Sequence, residues 1–101
     1  MVEKEPFVWS DAWLLLAIIY AGSDGGNIKT IKETGDFINH AIFIDEELEG
    51  GFRRLSQAGY IQELNGIYKA TPVVWQAYDR NGKPRRYVYK AVEDMEHFLG
   101  L

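Results

Sequence analysis

The sequence predicts a small α+β domain that is mostly helical, and three patterns support this class. Apolar residues recur at helical spacing in the first half of the chain. The pair Asn65-Gly66 separates two β-prone runs, which is the strongest short signal for a hairpin. Helical periodicity then returns after residue 85. With 101 residues, of which 47% are hydrophobic, the chain suits a single domain over 1–101.

The first predicted helix spans about 11–21, with Ser10 as its N-cap and Gly22 as its stop. Its run AWLLLAIIYA is apolar on every side, and such a helix must be covered all round. The cover therefore has to come from the chain ends or from a partner as well as from the neighbouring helices.

A second helix is predicted over about 28–40, after Asn27 as N-cap. Its inward face consists of five residues at 3,4,3,4 spacing: Ile28, Ile31, Gly35, Ile38 and Ile42. Gly35 is either a weak point of this helix or a site of close packing.

The third helix is predicted over about 46–58, with Asp45 as N-cap and Gly59 as its C-terminal glycine. Its inward stripe consists of Leu48, Phe52 and Leu55. Gly51 faces inward and Gly50 outward. Two interpretations of this pair are open: close helix packing, or a backbone approach to a partner at Gly50.

A hairpin is predicted over about 60–71, with Leu64 opposite Ile67 at its tip. Thr71-Pro72 then starts a helix that ends near Asp79, since proline favours the first helical position. A turn over 79–86 leads to a last amphipathic helix, about 85–99. The domain thus divides into a core, about 10–71, and a C-terminal helical extension, 72–101.

The segment EELEGGFRRLSQAGYIQELNGIYKATP resembles the stretch from third helix to wing of winged helix-turn-helix regulators. The matching positions are Leu55, Ala58, Gly59, Tyr60, Ile61, Tyr68 and Thr71. The resemblance covers about 10–72, and GDFINHAIFIDEEL is similar to small uncharacterised bacterial winged-helix proteins. It implies a three-helix core with a two-stranded wing. It also implies binding of double-stranded DNA by the third helix and the wing, often as a homodimer.

Basic residues and one glutamine are candidate nucleic-acid contacts, and they lie in three places: the third helix, the wing and the basic run 80–90. The candidate residues are Arg53, Arg54, Gln57, Lys69, Lys83, Arg85 and Arg86. The run 80–90 also fits a solvated loop and helix start. Two arginines at a helix N-terminus oppose the helix dipole, which favours a functional reason for them.

Other features weigh against DNA. The net charge is −4 and the pI about 5.1, whereas nucleic-acid-binding domains are typically basic. The third helix opens with acids, which suit a helix N-terminus but repel phosphates.

At the wing tip, Leu64 and Ile67 form an apolar pair that either contacts a protein partner or is covered by the C-terminal helices. Two functions remain open: a DNA-binding transcriptional regulator, and an acidic winged-helix protein–protein interaction module that does not bind DNA.

We expect no enzymatic activity, catalytic residue, cofactor or metal site. The chain has no cysteine, and its two histidines, His40 and His97, lack metal-ligand spacing. The longest apolar run, 12–21, is too short for a membrane span, and a cytoplasmic location is expected. The candidate homodimer surfaces are the helices after the wing and three N-terminal aromatic residues: Phe7, Trp9 and Trp13.

Overall fold

The computed structural model describes residues 5–79 and 87–101. In these ranges it contains five helices and one antiparallel pair of strands, in the predicted order. The elements are α1 (Trp9–Tyr20), α2 (Ile28–Asn39), α3 (Asp45–Gln57), β1 (Ile61–Leu64), β2 (Ile67–Ala70), α4 (Pro72–Asp79) and α5 (Val88–Phe98). The predicted class, α+β and mostly helical, is confirmed. Among the helices described, none is long and apolar enough to cross a membrane.

Helix α1 forms the centre of the core, and all of 11–19 is buried. It packs against α2, α3, β2 and α5. The buried side of α5 consists of Ala91, Val92 and Met95. The cover that an all-round apolar helix requires is therefore supplied within the chain, by α2, α3 and the C-terminal helix together.

The predicted N-cap of α1 is wrong. The helix begins at Trp9 with Val8 as N-cap, because the carboxylate of Asp11 reaches back and accepts the Val8 backbone N–H at 3.0 Å. A carboxylate three residues into a helix satisfies a free N–H of the first turn as effectively as a cap residue does. Ser10 consequently lies inside the helix.

The predicted N-cap of α2 is confirmed, since Asn27 Oδ1 accepts the Thr30 N–H at 2.9 Å. That of α3 is wrong by one residue. Ile44 is the N-cap, and Glu47 Oε1 accepts its N–H at 3.0 Å, so Asp45 is already the first helical residue. The acids of the first turn still complement the helix dipole.

The hairpin has the predicted register, with Leu64 opposite Ile67 and Ile61 opposite Ala70. The turn residues Asn65 and Gly66 have φ of 53° and 80°, as a type I′ turn requires. One further bridge joins Gly26, in the loop between α1 and α2, to Tyr68 of β2. The hairpin is therefore fastened to the helical core on its β2 side.

Close packing explains Gly35. The ring of Phe43 lies so near it that a Cβ at position 35 would collide with the ring. Phe43 also stacks on Trp13, with ring centroids 3.7 Å apart, and Trp13 Nε1 donates to the Gly35 carbonyl at 2.9 Å. Trp13 is only 2% exposed, so its assignment to a dimer surface is wrong. Phe7 stacks on Tyr60 and is half-buried, whereas Trp9 remains exposed.

Candidate functional site

Helix α3 lies beside the hairpin and exposes a face of mixed charge. Its inward side is buried at Leu48, Gly51 and Leu55, while Phe52 stacks on Tyr68 of β2 with ring centroids 3.9 Å apart. The exposed residues are Asp45, Glu46, Glu49, Arg53, Ser56 and Gln57. The beginning of the face is thus acidic, and its cationic character depends on the arginines further along the helix.

Arg54 is held inside the molecule by an ion pair with α1. Its Nε donates to Asp11 Oδ2 at 2.7 Å and its Nη2 to Asp11 Oδ1 at 2.9 Å. The Asp11 side chain is fully buried, and only 12% of the Arg54 side chain is exposed. The hydrogen bonds to Asp11 raise the pKa of Arg54 above its ordinary value. The Arg54 charge is therefore matched by a buried carboxylate rather than presented to solvent.

The glycine pair makes room for this ion pair. A Cβ at Gly51 would lie 2.5 Å from Leu14 Cδ2 and 3.1 Å from Asp11 Oδ1. A Cβ at Gly50 would lie 3.0 Å from Arg54 Nη1. The outward placement predicted for Gly50 is wrong, because the guanidinium of Arg54 folds over it and buries it. Of the two interpretations of the pair, close packing is the one that the contacts support.

Arg53 is exposed but also paired. Its Nε and Nη2 donate to the two carboxylate oxygens of Glu5 at 2.8 and 3.0 Å, and Arg54 Nη1 lies 3.3 Å from Glu5 Oε2. The hydrogen bond from Arg53 is the main reason why the pKa of Glu5 lies below its ordinary value. Glu5 and Asp11 thus set two carboxylates against the two arginines of α3.

Two of the remaining predicted DNA contacts lie within the described residues. Gln57 is exposed on α3, and Lys69 is exposed on β2. Lys83, Arg85 and Arg86 lie outside the described residues.

The hairpin tip is open and apolar. Leu64 is 73% exposed and Ile67 39% exposed, so helices α4 and α5 do not cover the tip. A groove of about 760 Å³ adjoins it. The groove is lined by Asp24, Ser56, Ile61, Gln62, Glu63, Leu64, Asn65, Ile67 and Lys69. Its lining combines an apolar centre with both signs of charge at the rim.

The outer edge of β1 has free backbone groups. Residues of an antiparallel strand alternate between bonding to the partner strand and facing away from it. Tyr68 faces away from β1, since its N–H and C=O bond to Gly26 at 2.9 and 3.0 Å. Glu63 is opposite Tyr68 in the register, so its N–H and C=O face the outer edge of β1. Within 5–79 and 87–101, no backbone group bonds to that edge.

Two features were not predicted from the sequence. The first is the pairing of Asp11, although a carboxylate beside an apolar run signals that a cation must meet it. The second is the exposure of Ile28 and Ile42, by 41% and 68%. Both residues were predicted to lie on the buried inward face of α2. His40 ends α2 in the left-handed conformation with φ of 53°, so helical spacing no longer applies at Ile42.

Comparison of the chain with protein-family models, with curated proteins and with solved structures finds no match. In the described part of the chain, no three histidine or carboxylate side chains come together as metal ligands do.

Proposed function

We propose that the chain is a winged-helix domain that works as a non-enzymatic protein–protein interaction module, with the hairpin and the adjoining groove as its docking surface. The order of three helices and a hairpin supports the fold, as does the packing of α3 against β1. The fold alone does not assign the function.

One observation carries the proposal: the two arginines of α3 are already paired with carboxylates of this chain, whereas within 5–79 and 87–101 the hairpin tip stays exposed. Breaking the Arg54 pair for a phosphate would leave the buried Asp11 carboxylate without a counter-charge, which is costly. Leu64, in contrast, is exposed and needs no rearrangement to be buried by a partner. Exposed apolar patches rimmed by polar groups are typical of protein contact sites.

The occupant that fits this surface is an extended segment of another protein. The free N–H and C=O of Glu63 can form backbone hydrogen bonds with an antiparallel or parallel strand added along β1, as in recognition by strand addition. A side chain of that segment on the same face of the sheet would then meet Leu64, with Ile67 beside it on β2. Main-chain bonds supply affinity in this mode, and the apolar tip supplies selectivity.

The test is site-specific photo-crosslinking in the source cells. A photoreactive residue at Ile67 should capture a specific partner, whereas the same residue at Val73, which is comparably exposed on α4, should not. The partner identified by mass spectrometry should slow hydrogen exchange of the Glu63 amide in the purified complex. Leu64→Glu with Ile67→Glu should abolish binding with the circular dichroism spectrum unchanged. A partner whose binding survives the double substitution and leaves the Glu63 amide unprotected would refute the proposal.

DNA binding as a transcriptional regulator is the second candidate function. The exposed positions of Arg53, Gln57 and Lys69 on α3 and the hairpin favour it. In a gel-shift assay with mixed genomic fragments, affinity should then fall steeply with salt, and Arg53→Glu should weaken it further. Arg53 is the informative position, because a substitution at Arg54 also disturbs the core. The absence of any shift at low salt would eliminate this candidate.

A further inference from the structure

The outer face of α2 carries a second surface, separate from the hairpin. A shallow groove of about 450 Å³ runs along this helix. It is lined by Ile28, Lys29, Lys32, Glu33, Asp36 and Ile42. From one end to the other, the lining is apolar, basic, acidic and apolar. The two terminal isoleucines are exposed by 41% and 68%.

The charges of this face are not satisfied within the described chain. Lys29 and Glu33 are four residues apart, as are Lys32 and Asp36, yet in 5–79 and 87–101 neither pair forms an ion pair. Lysine N-terminal to the acid is the less favourable order for such pairs. The face therefore presents two free cations followed by two free anions.

We infer that this face binds a second copy of the chain, with the two α2 helices antiparallel about a two-fold axis near Lys32 and Glu33. Lys29 and Asp36 are seven residues, or about 10.5 Å, apart along the helix. Reversing the helix therefore sets Lys29 and Lys32 of one copy against the acidic half of the other. The same rotation brings Ile28 of one copy to the end where Ile42 of the other lies.

The order of charges identifies the partner. A nucleic acid would be repelled by the acidic half of the face, and a partner of uniform charge would match only one half. A helix that runs in the opposite direction and carries the same order of charges matches both halves of the face. A two-fold axis supplies such a helix, because it sets α2 of a second copy antiparallel to α2 of the first. Phe37, which is 66% exposed and lies one turn after Glu33 on α2, adds apolar surface on the same side of the helix. The hairpin is left free, so this contact does not depend on the proposed function.

The experiment is a charge swap read by light scattering after size exclusion. The native chain should have twice the monomer mass of 11.6 kDa at submillimolar concentration. Variant A, Lys29→Glu with Lys32→Glu, makes the whole face acidic, and variant B, Glu33→Lys with Asp36→Lys, makes it basic. Each should dimerise about tenfold more weakly or worse, because every cross-pair becomes repulsive.

The mixture of A and B decides the question. In an A–B pair each acidic half meets a basic half, so the mixture should recover the dimer that each variant alone loses. As matched controls, Glu46→Lys with Glu49→Lys on α3 and Leu64→Glu with Ile67→Glu on the hairpin should keep the native mass. A monomeric native chain, or a mixture of A and B that stays monomeric, would overturn the inference. Circular dichroism confirms that each variant is folded.

Discussion

Replacing Arg54 with methionine should destabilise the fold severely, although the sequence predicts this residue as a DNA contact. Methionine preserves much of the length of the side chain but removes the guanidinium. The fully buried carboxylate of Asp11 then loses its bonds at 2.7 and 2.9 Å and has no solvent to replace them. The nearby Glu5 can only add repulsion.

The expected magnitude follows from this geometry. Removing one partner of a buried ion pair costs about 3–5 kcal/mol, because the other charge stays buried without compensation. A chain of this length is stable by about 5–15 kcal/mol in total. The Arg54→Met variant should therefore lose a large share of its stability, with a fall in Tm on the order of 15 °C.

The assay is urea unfolding followed by tryptophan fluorescence, to which the buried Trp13 contributes, and by circular dichroism. Arg53→Met is the matched control: the same substitution one residue earlier, at a side chain that is 51% exposed, should leave the midpoint nearly unchanged. In the double variant Asp11→Leu with Arg54→Met, two apolar side chains replace the pair and should recover most of the loss. Equal midpoints for Arg53→Met and Arg54→Met would refute the reasoning, as would a double variant whose losses simply add.

Three further predictions concern the packing, the hairpin and the N-terminal segment. Gly51→Ala should destabilise the fold by about 1–3 kcal/mol in the same urea assay, since its Cβ meets Leu14 at 2.5 Å. Gly50→Ala is the control and should change stability little, because the gain in helix propensity offsets the contact of its Cβ with the flexible end of the Arg54 side chain. Gly66→Ala should cost about 1–2 kcal/mol, measured by thermal unfolding, because alanine disfavours φ of 80° in the turn. The pKa of Glu5 is lowered, so the contribution of its pair with Arg53 is complete above the ordinary glutamate pKa of about 4.3 and is lost as pH falls through the lowered value. Carboxyl NMR should show the low midpoint of Glu5 in the native chain and a rise toward the ordinary value in Arg53→Gln; identical midpoints would contradict the pairing.

The local features of the fold were predictable from the sequence, because each depends on residues a few positions apart. The Asn65-Gly66 turn determined the hairpin register through its own backbone preference. Asn27 capped α2 as expected, and Thr71-Pro72 marked the start of α4. Even the two misplaced caps, at Ser10 and Asp45, were wrong only because a carboxylate inside the first turn took the role of the cap residue.

The chemistry of the candidate site depended on the tertiary structure. Arg53 and Arg54 are adjacent and identical in type, and no local pattern identifies the partner of either one. Asp11, which is 43 positions away from Arg54, pairs with it only because α1 and α3 pack together. Likewise, Ile42 has the sequence spacing of a buried helical face, but it lies beyond the end of α2 and its side chain is exposed. Sequence alone thus determined the class, the order of elements and the turn, since these are short-range. Which charges stay free and which apolar side chains stay exposed was decided by contacts between distant segments.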